Sequence, residues 1–196
     1  MTVLSEPALD TGAARRAMIY SQLRPSGVND PEVLAAFNRV AREDFVPAAV
    51  RSIAYMDRAV PLGLGNVLAP PLTHGLMLQE AKPTAEDRAL LVDGGSGYLA
   101  ALAKPLVGTL DVIAPGGKPR GKGYTLLLVD GAIEVLPDVL AAALAEDGRV
   151  VTGLVERGVT RLAVGRKAAG RVGFLTLAEA DFAPLPGFER PRTWSF

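Results

Sequence analysis

Residues 88–104 read Arg88-Ala-Leu-Leu-Val-Asp-Gly-Gly-Ser-Gly-Tyr-Leu-Ala-Ala-Leu-Ala-Lys104. Ala89 to Val92 form a short continuous apolar run, the pattern of a strand buried on both faces. Gly94, Gly95 and Gly97 follow, and glycine tolerates positive φ and close backbone approach. From Tyr98 onward, Leu99 to Ala103 favour a helix. Strand, glycine turn and helix in succession can seat a nucleotide-like ligand at the turn. The same succession also serves packing alone, and this stretch by itself leaves both open.

Working outward, residues 72–81 read as a helix leading into that strand. Asp57 to Pro71, dense in glycine and proline, reads as loop with short extended pieces. Asp30 and Pro31 make an N-cap and N1 pair, and Val33, Leu34, Phe37 and Val40 then share one buried helical face. Ser5 is expected to cap a first helix, with Pro7 in its opening turn, running to about Leu23. Pro47 begins a short helix through Ile53. Downstream, Thr109–Ile113, Tyr124–Val129, Arg149–Val155, Arg161–Gly165 and Val172–Leu177 read as strands. Pro137 to Ala145 reads as a helix ended by Gly148 in the C′ position. The alternation predicts an α/β sheet with helices on its faces and a β-rich C-terminal part. One domain is expected, with 1–81 as a helical cap and loop segment and 82–196 as the core.

Composition narrows the chemistry. Hydrophobic residues are 49% and charged residues 21% of the 196, a globular balance. Lys plus Arg and Asp plus Glu stand at 21 each, which gives no electrostatic footprint for nucleic acid or an anionic membrane. The absence of cysteine excludes disulfides, thiolate catalysis and Cys-based zinc sites. His74 is the only histidine, so no multi-histidine metal site exists, and a surface or capping position is expected for it. The N-terminus has no signal-peptide pattern and no apolar run spans a bilayer, so a cytoplasmic protein is expected.

The segment Met18 to Gly63 carries Gln22-Leu-Arg24, Gly27-Val-Asn-Asp-Pro31, Val33-Leu-Ala-Ala36, Arg42-Glu-Asp-Phe-Val-Pro47 and Ala54-Tyr-Met-Asp-Arg-Ala-Val-Pro-Leu-Gly63. These resemble the N-terminal region of protein-L-isoaspartate O-methyltransferases. The glycine turn, the strand Leu126 to Val129 and Gly148-Arg149-Val150 resemble that family's later motifs in order. The resemblance implies a Rossmann-like S-adenosylmethionine-dependent methyltransferase sheet, with helices on both faces and an N-terminal helical cap. It implies methyl transfer to the carboxylate of isoaspartyl residues in damaged proteins or peptides. It places the cofactor around Asp93, Gly94, Gly95, Gly97, Tyr98 and Asp130. The substrate carboxylate attacks the methyl itself, so positioning and electrostatics carry catalysis.

Four positions depart from the family pattern. The family's Gln-Thr-Ile-Ser is matched here by Asn66, Val67, Leu68 and Ala69, so both hydroxyls are lost and an apolar loop packed on the core is expected. Asp93 stands where the family has the first glycine of its turn, and Leu91 where it has an acidic residue. The second strand ends Val112-Ile113-Ala114, with no carboxylate for ribose hydroxyls; Asp111, one pleat back, is expected to face the sheet. Finally, only Ala114 to Gly123 join the second strand to the next, where the family has a helix, a strand and a helix. A parallel crossover ordinarily takes roughly a dozen residues or more. Ten residues extended reach about 33 Å, against about 20 Å needed to pass two strands and return. The sheet is therefore expected to persist without its third strand, leaving Thr109–Ile113 at an edge that the loop covers or a second chain pairs with. Lys118, Arg120 and Lys122 on that loop read as solvated, and Asp130-Gly131 falls at the mouth of the pocket, as ligand contact or turn. Two readings follow: a working methyltransferase with a rebuilt pocket around Gly95, Gly97 and Tyr98, or a catalytically silent relative that binds a protein or peptide. The losses at ligand-binding positions lean to the second.

Overall fold

A computed structural model describes residues 10–191. Helix α1 (Thr11–Met18) is capped by Asp10, whose Oδ1 accepts from the Ala13 N–H at 2.9 Å; Ser5 and Pro7, expected at its start, lie outside the described residues. The chain continues through a π turn, Ile19–Leu23, and a 3-10 turn, Arg24–Ser26. Helix α2 (Pro31–Arg39) opens on the expected pair, with Asp30 accepting from the Glu32 and Val33 N–H groups. Ala48–Ile53 winds as 3-10 rather than α.

The expected extended pieces form a hairpin, β1 (Val60–Gly63) against β2 (Asn66–Leu68), followed by α3 (Pro71–Ala81). Asn66 to Leu68 is thus a strand and not the loop expected from its sequence. The main sheet has the order β4-β3-β5-β6-β7-β8. Strands β3 (Arg88–Val92), β4 (Thr109–Ile113), β5 (Tyr124–Ile133) and β6 (Leu144–Glu156) run parallel, and β7 (Val159–Ala168) and β8 (Arg171–Glu179) close an antiparallel meander. Helix α4 (Tyr98–Ala103) follows the glycine turn, and α5 (Asp138–Ala143) precedes β6. Gly148 does not cap α5: that helix ends at Ala143, and Gly148 lies within β6 beside Asp147 at φ 61°. Strand pairing to β5 claims the segment four residues before the glycine.

Alternation sorts the strands onto two cores. Ala89, Leu91, Leu126, Leu128 and Val151 pack beneath the N-terminal helices, α3 and α4. Leu90, Val92, Leu127, Val129 and Val150 pack beneath α5 and the C-terminal Leu185 and Phe188. Every residue of β3 from Ala89 to Val92 is at most 1% exposed, which is why its sequence is uniformly apolar.

Among the described residues no strand lies beyond β4, which pairs only with β3, and Val112 is 44% exposed. To reach β5 on the other side of β3, the 114–123 loop crosses the face that carries Arg88. The Arg88 Nη1 donates to the Lys122 carbonyl at 3.0 Å, and its guanidinium lies 4.7 Å from the Tyr124 ring centroid. Tyr124 in turn donates to Asp111 Oδ2 at 2.6 Å, so Asp111 faces the sheet as its strand position requires. Lys118, Arg120 and Lys122 are exposed.

A second anchor sits beside it at the amino-terminal ends of β3 and β5. Asp87, 5% exposed, accepts from Arg149 Nη1 at 2.8 Å and Nη2 at 2.6 Å, from Thr125 Oγ1 at 2.7 Å and from the Thr84 N–H at 2.8 Å. Arg149 also donates to the carbonyls of Ala81, Lys82 and Thr125. Burial pushes the Asp87 carboxyl upward, but the hydrogen bonds from Arg149, Thr125 and Thr84 outweigh it and hold it well below the ordinary carboxylate range.

Candidate active site at the glycine turn

The carboxyl ends of β3 and β5 meet where β3 leads to β4 on one side and β5 lies on the other, the switch point at which open α/β sheets bind ligands. The turn after β3 holds Gly95 at φ 104° and Gly97 at φ 70°, conformations that a Cβ strains. At Gly94 an added Cβ would overlap the Asp130 carbonyl oxygen, so glycine there lets the turn close onto β5. Asp93 does not project away from this turn. Its Oδ2 accepts from the Gly95 N–H at 3.1 Å and its Oδ1 from the Gly97 N–H at 2.9 Å.

Asp130 is 7% exposed, and its Oδ1 lies 2.8 Å from His74 Nε2. His74 is fully buried, which corrects the expected surface or capping position. It sits on α3, a helix buried on most of its circumference, and an imidazole placed there must find an internal partner. Among the described residues the His74 Nδ1 has no partner, and the Asp130 carboxylate only accepts, so His74 Nε2 is assigned as the donor to Asp130. Tyr98 packs edge-on against Phe45, with centroids 5.2 Å apart, and its ring lies 5.7 Å from that of His74.

Arg42 lies behind the cleft, against Tyr98. It is fully buried, donating from Nε to the Ala54 carbonyl at 2.6 Å and from Nη2 to the Ala69 carbonyl at 2.5 Å, with its guanidinium 5.0 Å from the Tyr98 centroid. Burial lowers its pKa to about 10, so it stays charged at neutral pH. Sequence reading gave neither Arg42 nor His74 a place in the site. The signal available for His74 was the spread of Leu72, Leu76, Met77 and Leu78 around α3, which leaves no broad polar face.

Between the hairpin, the turn and the C-terminal segment lies a cleft of about 230 Å³, lined by Asn66, Val67, Ala69, Gly94, Asp130 and Phe182 among others. The segment 182–188 runs along the end of β5: the Ala132 N–H donates to the Ala183 carbonyl at 2.8 Å and the Leu185 N–H to the Ala132 carbonyl at 2.8 Å. This is less room than the roughly 300–1,000 Å³ of small-molecule pockets, and it suits a group the size of one residue. Asn66 reaches the turn: its side chain would lie 3.2 Å from a Cβ on Gly95. A larger hollow of about 710 Å³ at the β6–β7 turn is an open groove edged by Glu134, Glu156, Arg157 and Arg161, and no residue of the glycine turn lines it. Of the residues singled out from sequence, the fold therefore gathers Asn66, Ala69, Asp93, Gly94, Gly95, Gly97, Tyr98 and Asp130 at one end of the sheet.

Residues 14–114 match the family model of protein-L-isoaspartate(D-aspartate) O-methyltransferase (PCMT). The chain belongs to the protein-L-isoaspartate O-methyltransferase family. It is 29% identical to protein-L-isoaspartate O-methyltransferase 1 of Rhodopseudomonas palustris, over 95% of this chain and 88% of that protein. It is 31% identical to the protein-L-isoaspartate O-methyltransferase of Koribacter versatilis, over 88% of this chain and 90% of that one. The fold matches a Plasmodium falciparum beta-aspartate methyltransferase (PCMT) crystallised with S-adenosyl-L-homocysteine, at a TM-score of 0.71, 18% identity, and coverage of 91% of this chain and 99% of that one. The family's α/β sheet is thus present with its N-terminal helices. Among the described residues no helix is long and apolar enough to cross a membrane, and no group of three or more His, Cys, Asp or Glu is placed to hold a metal ion.

Proposed function

We propose that this member of the isoaspartate methyltransferase family methylates the carboxylate of isoaspartyl residues in proteins or peptides, with S-adenosylmethionine as methyl donor. The observation that carries the reading is the positive-φ glycine turn beside a residue-sized cleft, both at the carboxyl ends of β3 and β5. The relatives named above bear the methyltransferase name, which favours an enzyme over the catalytically silent binding module.

The donor set fits the cationic half of the cofactor. Asp93 and Asp130 set two carboxylates at the turn, a field that suits an ammonium and a sulfonium. Gly95, Gly97 and Tyr98 would hold the cofactor's amino-acid end, and when bound it supplies a methyl group activated by the positive sulfur. The chain's own residues do the rest. Asn66 is the amide left at the hairpin to donate to a substrate carboxylate, since Val67 and Ala69 have no hydroxyl. His74 fixes the orientation of Asp130, and Val67, Ala69 and Phe182 keep water from the cleft. No protein nucleophile is required, because the substrate carboxylate is the attacking group.

The test is transfer of a labelled methyl group to an isoaspartyl peptide and to its aspartyl isomer. Base-labile label on the isoaspartyl peptide alone is the expected result. No label above the enzyme-free control on either peptide would sink the proposal.

We further propose that a second copy of the chain pairs with the free edge of β4, since the 114–123 loop crosses the face of β3 and Val112 stays exposed. Light scattering is expected to give the mass of a dimer, with slow amide exchange in residues 109–113. A monomer at high concentration rules the pairing out.

A further inference from the structure

The tip of the β1–β2 hairpin breaks a local rule. Gly63 pairs with Asn66, so Leu64 and Gly65 make a two-residue turn, with φ of 53° and 82°. Turns with positive φ at both positions favour Asn-Gly or Gly-Gly, and a bulky side chain at the first position is strained. The hairpins at Arg157-Gly158 and Ala169-Gly170 turn in the same way and carry a charged and a small residue there. Leu64 is 104% exposed, against 67% for Leu175, the next most exposed large apolar side chain among the described residues. A side chain so placed buries no area within the fold, so this leucine strains the turn without stabilising the protein. Positions where a local rule is broken with no structural gain are where function is to be sought.

Leu64 lines the cleft, two residues before Asn66. The C-terminal wall presents Ala183, Pro184 and Pro186 to the same cleft, all exposed. The prolines have no N–H, and the Ala183 carbonyl is held by the Ala132 N–H at 2.8 Å. Asp130 is the only ionisable residue lining the cleft, and it is buried against His74. The rim is therefore apolar on both sides of the mouth. The cleft, of about 230 Å³, takes a group the size of one residue, so the neighbours of that residue in a bound chain lie out on the rim. We propose that Leu64 is a specificity-determining residue: it packs on an apolar side chain directly flanking the isoaspartyl residue, with Pro184 and Pro186 on the other side. The substrate class it selects is an isoaspartyl peptide with an apolar neighbour. The inference rests on reading the cleft as the substrate's site.

The experiment measures binding and methylation of three isoaspartyl hexapeptides by the full chain, with S-adenosylmethionine as donor. One peptide has serine on both sides of the isoaspartate, one has leucine before it and one has leucine after it. For at least one leucine peptide, the wild-type KM and the Kd from fluorescence anisotropy are expected to be about fivefold lower than for the serine peptide, with kcat unchanged. Leu64→Asn is expected to bring the peptides within about twofold of one another. Its Tm should stay equal or rise, because Asn-Gly suits the turn. Leu64→Met keeps the apolar reach and is expected to keep the preference. Equal KM for the three peptides on the wild-type chain, a preference that Leu64→Asn leaves intact or Leu64→Met abolishes, or a Tm lowered by Leu64→Asn, overturns the inference and leaves the methyltransferase reading in place. Binding and methylation of none of the peptides overturns both.

Discussion

Arg149→Met is expected to lower the unfolding free energy by about 3–5 kcal/mol, the cost of stripping one partner from a buried ion pair. Asp87 would be left 5% exposed with a negative charge and no cation, and the carbonyls of Ala81 and Lys82 would lose their donor. For a chain of this length that corresponds to a fall in Tm of roughly 10 °C. The acid limb of the stability curve carries an independent signature. Asp87 has a folded pKa below its unfolded value, so its contribution is complete above the unfolded pKa and is lost as pH falls through the folded one. Wild-type stability should therefore drop on acidification below about pH 4, and in Asp87→Asn the drop should be shallower. A Tm within about 2 °C of wild type for Arg149→Met would show that the anchor contributes little.

Arg42→Ala is the second large effect, expected at about 3 kcal/mol. Two buried carbonyls, of Ala54 and Ala69, lose their donors, at about 1–3 kcal/mol for each unsatisfied group, and relief of the buried charge offsets part of the sum. The Ala69 carbonyl ends the hairpin that walls the cleft, so the same variant should weaken ligand binding as well as lower Tm. Arg42→Lys retains a positive charge, but an ammonium lacks the planar fork that reaches both carbonyls. It is expected to recover less than half of the lost stability. Full recovery with lysine would show that charge, not the paired carbonyl contacts, is what the position supplies.

These two residues also mark where the sequence was hard to read. The fully apolar Ala89 to Val92 and the glycines after them announce a central strand and its turn, because double-sided burial and positive φ each leave a residue-type signature. The edge position of β4 follows from the shortness of the 114–123 connection alone. Arg149 and Asp87, by contrast, are 62 positions apart, and no periodicity relates them. Arg42 sits in a 3-10 turn, Arg42–Phe45, with charged neighbours on both following positions, so its burial is set by the helices packed around it. The burial of His74 is set by the apolar character of its whole helix, which its own residue type does not reveal. Gly148 is ambiguous in sequence because glycine marks both C′ positions and close strand approaches. The wall formed by Phe182 to Pro186 has neither helical nor alternating period, and only its pairing with Ala132 gives it a place.

That last wall has a consequence for how the protein is made. Residues 182–186 follow every other part of the cleft in chain order, after all the strands of the sheet. Domains begin to fold while synthesis proceeds from the N-terminus. The ribosome thus delivers the platform first and the binding site afterwards, and an incomplete nascent chain, however well its sheet has formed, carries no finished cleft with which to seize a neighbouring polypeptide.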